Sequence, residues 1–234
     1  MRGLLSVGTQ AAGGSGIRRL DPRLALIKEW CGRFQTIADI GAHEGLLARH
    51  LSAAGHQVFA TELTLAGVAA LRDGVSGTGV TVSLGDGLQP VWHEPVDCVV
   101  VAGMGYETIL EIVSTHDHIA SHPRFIVQPM QGALLLHQAI IEQGWTILQA
   151  DIAQYRRHLY PTWLLDMYHI DHARDNGPHA QFLPTEFRGS PAYVEWLERE
   201  RRFRRQALTH RQSTRMRQEV DWLTAEVNSE RKRE

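Results

Sequence analysis

The stretch Thr36 to Gly45, T-I-A-D-I-G-A-H-E-G, restricts the fold of this chain more than any other. A short apolar run ends in Asp39, turns at Gly41 and passes through Gly45 into Leu46 to Ala54, which reads as a helix. Strand, glycine turn and helix start in succession direct backbone N–H groups and a helix dipole at a polar or anionic ligand. A glycine turn alone is common, and spacing narrows the reading. Glu62 closes the next strand-like run, Gln57 to Leu63, and Asp86 follows the one after, Val80 to Leu84. An acid about twenty residues beyond a glycine turn is the usual partner of ribose hydroxyls in a nucleotide-binding sheet. The expectation is a cofactor held at the carboxyl ends of parallel strands.

The remaining pattern extends that sheet. Leu20, Leu24, Ile27 and Trp30 recur at helical spacing, with Asp21 as N-cap and Pro22 at the first helical position. Downstream come a helix over Leu65 to Arg72, the turn Gly85 to Gly87, the most apolar run Val96 to Ala102, and a helix over Glu107 to Ser114. Phe125 to Gln128 reads as a strand, Leu134 to Gln143 as a helix, and Trp145 to Tyr155 with Trp163 to Ile170 as an antiparallel closing pair. Apolar runs separated by helices predict an α/β, Rossmann-like sheet covered on both faces. The domain reading is a disordered segment 1–19, the sheet domain 20–172, a linker 173–190 and a C-terminal helical unit 191–234. In that unit Tyr193, Leu197, Phe203 and Leu208 form one candidate stripe, and Met216, Val220, Leu223 and Val227 a heptad-like second. Polar Thr209 to Thr214 between them predicts a coiled-coil-like helical hairpin.

Composition excludes several classes. No apolar run approaches the roughly 20 residues of a membrane span, and the first residues lack the apolar core of a secretory signal, so a cytoplasmic, monomeric protein is expected. The 2 cysteines, Cys31 and Cys98, are too few for a disulfide framework, and no His, Cys or carboxylate set has metal-ligand spacing, so no metal is expected. The net charge of −2 conceals segregation: nine arginines face three glutamates between Arg188 and Arg217. A basic stripe beside an acidic fold suits phosphate contact, while Glu195 with Arg199 and Glu198 with Arg202 could equally satisfy each other along a helix.

The turn chemistry separates cofactors. A nicotinamide fold favours G-x-G-x-x-G, whereas this chain has D-x-G-x-x-x-G with His43 where a middle glycine would stand. Methyltransferases that use S-adenosyl-L-methionine favour an acid before the first glycine, as Asp39, an acid closing the second strand, as Glu62, and a turn after the third that meets the adenine amine, as Gly85, Asp86 and Gly87. Each acid singly also reads as a cap or turn residue. Gly41, Ala42, Glu44, Gly45, Leu63, Ala102 and Gly103 complete the predicted cofactor set, with Arg23 facing the ligand carboxylate or simply exposed.

Four stretches carry a resemblance: A-D-I-G at Ala38 to Gly41, G-D-G-L at Gly85 to Leu88, V-A-G-M-G at Val101 to Gly105 and I-V-Q-P at Ile126 to Pro129. On these, roughly four-fifths of the chain resembles the bacterial tRNA adenine-22 N1-methyltransferases. The resemblance implies S-adenosyl-L-methionine as cofactor, tRNA as partner, and a Rossmann-like domain followed by a helical one. It implies a reacting corner of His43, Gly103, Met104, Gly105 and Tyr106, with Tyr106 stacking on the base or serving as the first core residue of the next helix. Phosphate contact would fall to Arg201, Arg202, Arg204, Arg205, Arg211 and Arg215. The family reads D-I-G-S-D-H-A-Y where this chain reads D-I-G-A-H-E-G-L, and G-M-G-G and Q-P-N where Tyr106 and Met130 stand here. His43 is then a substitute cofactor contact or a turn histidine, and Glu44 a partner for the cofactor's amino group or a helix-start glutamate. A non-catalytic cofactor- or RNA-binding module, and a methyltransferase for another base or a small molecule, are the alternatives.

Overall fold

The computed structural model describes residues 18–170, 178, 182–209 and 213–233. Most of the predicted disordered segment, residues 173–177 and 179–181 of the predicted linker, and Arg211 lie outside the described residues. Helix α1 (Pro22–Cys31) begins as its sequence prescribes: Asp21 accepts a hydrogen bond from the Leu24 N–H at 3.1 Å, with Pro22 at N1. It buries Ile27, Trp30 and Cys31. Strands β1 (Thr36–Ile40), β2 (Gln57–Glu62), β3 (Thr81–Leu84), β4 (Cys98–Gly105), β5 (Arg124–Gln131), β6 (Trp145–Tyr155) and β7 (His158–Ile170) form one seven-stranded sheet in the order β3-β2-β1-β4-β5-β7-β6. The first five strands are parallel, and β7 runs antiparallel to both β5 and β6.

Helices α2 (Leu46–Ala53), α3 (Leu65–Gly74), α4 (Tyr106–Val113) and α5 (Ala133–Glu142) supply the connections. Period-2 alternation sends successive side chains to opposite faces. Ile37, Val58, Val100 and Ile126 meet α1, α2 and α3 on one face, whereas Ala38, Phe59, Val101 and Val127 meet α4 and α5 on the other. The Rossmann-like α/β sheet expected from the sequence is therefore present, covered on both faces.

Helices α6 (Tyr193–Leu208) and α7 (Thr214–Glu230) form the C-terminal hairpin. Its Tyr193, Trp196, Leu197, Leu223 and Val227 join the same apolar cluster as Trp163 of β7. Arg188 donates from Nε and Nη2 to Glu226 at 2.7 and 2.8 Å, and Tyr193 Oη donates to the same carboxylate at 3.3 Å, so charge as well as apolar contact fixes α7.

Several boundaries move. β4 continues through Gly105, where a loop after Ala102 was expected; two register shifts beside β5 let it bend and stay paired. β5 continues past Gln128 to Gln131, and β7 begins at His158 instead of Trp163, because pairing with β6 carries it. Part of the predicted linker is core: Phe182, Leu183 and Phe187 are buried. Phe203 leaves the predicted stripe and is 69% exposed. Its separation of six residues from Leu197 turns it well away from the buried face of a 3.6-residue helix.

Candidate functional site

The strand order reverses direction between β1 and β4, and ligands of open α/β sheets bind where the carboxyl ends diverge at such a point. An open cleft of about 870 Å³ lies there, and Asp39, Glu62 and Asp86 all line it. Asp39 is the fourth residue of β1, flanked by Ala60 and Val100 on its neighbours, and is 6% exposed. Burial, followed by the nearby Glu62 charge, raises its carboxyl to about 7; the Ala48 N–H at the start of α2 is the contact pulling the other way. Glu62 ends β2, and its Oε1 accepts the His43 backbone N–H at 2.6 Å. Close passage to α3 is possible because residue 67 is glycine: a Cβ there would stand 2.6 Å from Glu62 Oε2. Asp86 is exposed in the turn after β3, and that turn is tied to β2 by the Gly85 N–H donating to the Glu62 carbonyl at 3.1 Å.

The glycine turn is used differently from the sequence expectation. The Gly41 and Ala42 N–H groups donate to the Thr61 carbonyl at 3.0 and 3.1 Å, and the next N–H, of His43, goes to Glu62. Three successive amides that would cradle an anion instead lock the turn onto the end of β2. A pyrophosphate-binding dinucleotide site needs those amides; an adenosyl group with an uncharged ribose does not. Thr61 itself is 1% exposed, lines the cleft, and its Oγ1 has no hydrogen-bond partner among the described residues.

On the β4 side, Met104 extends its side chain over the turn: a Cβ at Gly41 would lie 2.2 Å from Met104 Cε, and Gly41 has φ +68°. Arg23 enters the cleft from α1, with its guanidinium 5.8 Å from the centroid of the Tyr160 ring and its Nε 3.4 Å from Asp21. All predicted cofactor residues except Gly45 line the cleft, as do His43, Gly103 and Met104 of the predicted reacting corner. Gly45, Gly105 and Tyr106 do not. Gly45 is buried against Val75 and Leu71, and Tyr106 opens α4 with its ring over Gly132 and its hydroxyl donating to Glu107 Oε1 at 3.2 Å. Tyr106 is half-buried there, packed against the apolar cluster on that face of the sheet. His43 is exposed at φ 55°, and Glu44 is exposed beside it.

Sequence reasoning passed over Arg18 and Thr61, which also line the cleft, as does Met130, noted there as a departure from the family pattern. Thr61 was the legible one, as a polar residue directly before the strand-closing acid. Gln128, from the I-V-Q-P stretch, stands beneath the reacting corner. It is fully buried, donates to Thr162 Oγ1 at 2.7 Å, and leaves its Oε1 unpaired.

The predicted phosphate-contacting arginines divide. Arg204 is a correction: its side chain is 11% exposed, pairs with Glu200 at 2.6 Å and Glu219 at 3.1 Å, and lies over Phe182, so it fastens α6 to α7. Arg215 pairs with Glu219 at 3.2 Å while remaining exposed, and Arg201 is half-buried with an unpaired Nε. Arg202 and Arg205 are exposed and form no ion pair among the described residues. Glu195 pairs with Arg199 as the spacing suggested, but Glu198 pairs with Arg231 of the chain end, not with Arg202. No group of three or more His, Cys, Asp or Glu among the described residues is arranged to hold a metal ion, and no described helix is long and apolar enough to cross a membrane.

A family model described as a methyltransferase domain matches residues 20–162. Three solved structures share the fold. TrmK of M. capricolum, in complex with S-adenosyl-homocysteine, is 20% identical with TM-score 0.70, over 91% of this chain and 96% of that one. The tRNA (m1A22) methyltransferase TrmK of B. subtilis is 17% identical with TM-score 0.73, over 92% and 98%. A Streptococcus pneumoniae protein in complex with S-adenosyl-L-methionine is 20% identical with TM-score 0.74, over 89% and 99%. No curated protein matches the chain in sequence.

Proposed function

Because the chain belongs to the methyltransferase-domain family, we propose that it uses S-adenosyl-L-methionine to methylate N1 of an adenine in tRNA, adenine 22 by its likeness to the m1A22 enzymes. The observation that carries this reading is the meeting of Asp39, Glu62 and Asp86 on one cleft whose glycine turn has its amides engaged internally. That arrangement favours an adenosyl cofactor over a dinucleotide.

In this reading Glu62 accepts from the ribose hydroxyls, Asp86 from the adenine amine, and Arg23 meets the carboxylate. When bound, S-adenosyl-L-methionine would supply an electrophilic methyl carbon, to which adenine N1 would bond in line as the carbon–sulfur bond breaks and S-adenosyl-homocysteine leaves with the electron pair. N1 of neutral adenine already carries a lone pair, so the chain supplies no strong general base. Its work is orientation and electrostatics. The backbone at Gly103 and Met104 borders the place of the entering base, which must be unstacked to reach it. In the same reading the protein acts as a cytoplasmic monomer.

Calorimetric titration with S-adenosyl-L-methionine, then mass-spectrometric mapping of modified adenosines in treated tRNA, tests both halves. Heat of binding and N1-methyladenosine at position 22 are expected. Binding without transfer to any RNA would reduce the protein to a cofactor-binding module, and transfer only to a small acceptor would replace the substrate.

A further inference from the structure

The tip of the β6–β7 hairpin is built against the preferences of its own turn. Tyr155 pairs with His158, so the connection is the two-residue loop Arg156-Arg157. Two-residue hairpin loops favour types that place a positive φ at the first or both positions, which is why Gly, Asn and Asp dominate there. Arg156 holds φ 55° with a full side chain. A strained residue of this kind persists where the surroundings over-determine it, and such outliers gather at functional places. Its surroundings are specific. The Arg156 guanidinium lies 5.1 Å from the centroid of the Tyr155 ring, and the Arg157 carbonyl accepts a hydrogen bond from Nη1 of Arg199 on α6. Arg156 and Arg157 are exposed and form no ion pair among the described residues.

The topology places this tip on the edge of the sheet where the cleft opens. β7 pairs antiparallel with β5, Phe125 with Leu165 and Val127 with Trp163, so the start of β7 lies at the carboxyl ends of the parallel strands. Tyr160, against which Arg23 of the cleft stacks, is four residues from Arg156. At ~3.3 Å per residue that is about 13 Å along the strand. Arg199 links the tip to α6, where Arg202 and Phe203, three and four residues on, share the Arg199 face and are exposed. Unpaired guanidinium groups, one exposed aromatic ring and a rigid two-stranded support thus lie toward the same edge of the sheet on which the cleft opens. Guanidinium groups bind phosphates and aromatic rings stack on unpaired bases, so the chemistry fits a single-stranded or looped nucleic acid.

We propose that the hairpin tip, Tyr155 to His158 together with Arg202 and Phe203 of α6, is an RNA-docking ridge that grips the phosphates beside the target nucleotide. It rests on the reading of the protein as a tRNA methyltransferase and gives that reading an anchoring surface near the cleft, independent of the arginines along the rest of the hairpin helices.

The double variant R156G/R157S tests it, because glycine suits the φ at 156 and serine is an ordinary turn residue. The variant is expected to fold with unchanged or higher thermal stability and to bind S-adenosyl-L-methionine as the parent does. Its tRNA affinity is expected to fall ~10- to 100-fold near 0.1 M salt, with the slope of log K against log salt smaller by up to about two units, since each lost phosphate contact removes about one. F203A is expected to weaken tRNA binding without altering that slope. A parent protein that binds tRNA, with a double variant of unchanged affinity and slope, would overturn the ridge alone. A parent that binds no tRNA would overturn the substrate reading and the ridge with it.

Discussion

Glu62 Oε1 accepts a hydrogen bond from the His43 N–H at 2.6 Å, so the acid expected to hold the ribose also braces the glycine turn. Removing it withdraws two functions at once. Hydrogen bonds to a charged group contribute about 1.5–3 kcal/mol each, so Glu62→Ala is expected to weaken S-adenosyl-L-methionine binding by at least tenfold in calorimetry. Glu62→Gln keeps an acceptor for His43 and should fall between. Parental affinity in the alanine variant would show that the carboxylate makes no contact with the cofactor.

Asp39 gives the site a pH dependence. Burial and then the Glu62 charge raise its carboxyl from 3.8 to about 7 in the folded chain. Between those values the folded chain holds a proton that the unfolded chain has released. The contribution of Asp39 to stability therefore falls as pH rises from 3.8 towards 7 and is fully unfavourable above 7. A cationic cofactor bound nearby lowers the carboxyl again, so binding near neutral pH should release protons. Titrations at pH ~6.5 in buffers of different ionisation enthalpy should give different apparent heats, and Asp39→Asn should remove most of that difference. Identical heats for the parent in all buffers would contradict this coupling.

Gly41 and Met104 are coupled sterically. A methyl group at residue 41 would stand 2.2 Å from Met104 Cε, at a backbone with φ +68°. Gly41→Ala should therefore incur backbone strain of about 1–2 kcal/mol and a clash with a flexible side-chain end. Met104→Ala in the same chain removes the clash and leaves the strain. Denaturant unfolding of both single variants and the double is expected to give a double variant less destabilised than the two losses added. Simple additivity would place Met104 elsewhere in solution.

The sheet was legible because parallel strands covered on both faces need apolar runs, and Val96 to Ala102 contains a single polar residue, Asp97. The convergence of Asp39, Glu62 and Asp86 was legible for a related reason: each terminates such a run, and parallel strands bring their carboxyl ends together. Less legible was anything decided by one atom's partner. Nothing in T-I-A-D-I-G-A-H-E-G says that the amides of the turn bond to Thr61 and Glu62. Nor does an arginine-rich helix say that Arg204 turns inward while Arg205 faces solvent, since both belong to the same charged run and differ by 100° around the axis. The β6–β7 turn escaped notice because arginine is not a turn signal, although Tyr155 and His158 bracket a two-residue loop.

That division between Arg204 and Arg205 supplies the last expectation. Arg204→Glu would place a third carboxylate between Glu200 and Glu219, with both ion pairs lost. Breaking a mostly buried pair costs about 3–5 kcal/mol, reduced here because Glu200 is 25% exposed, so a loss of about 3 kcal/mol in chemical denaturation is expected. Arg205→Glu touches no ion pair among the described residues and should leave stability within about 0.5 kcal/mol, while weakening tRNA binding in a salt-dependent way. The two variants therefore separate fastening from docking on adjacent residues. A strongly destabilised Arg205→Glu, or an Arg204→Glu as stable as the parent, would mean that α6 meets α7 through a different face.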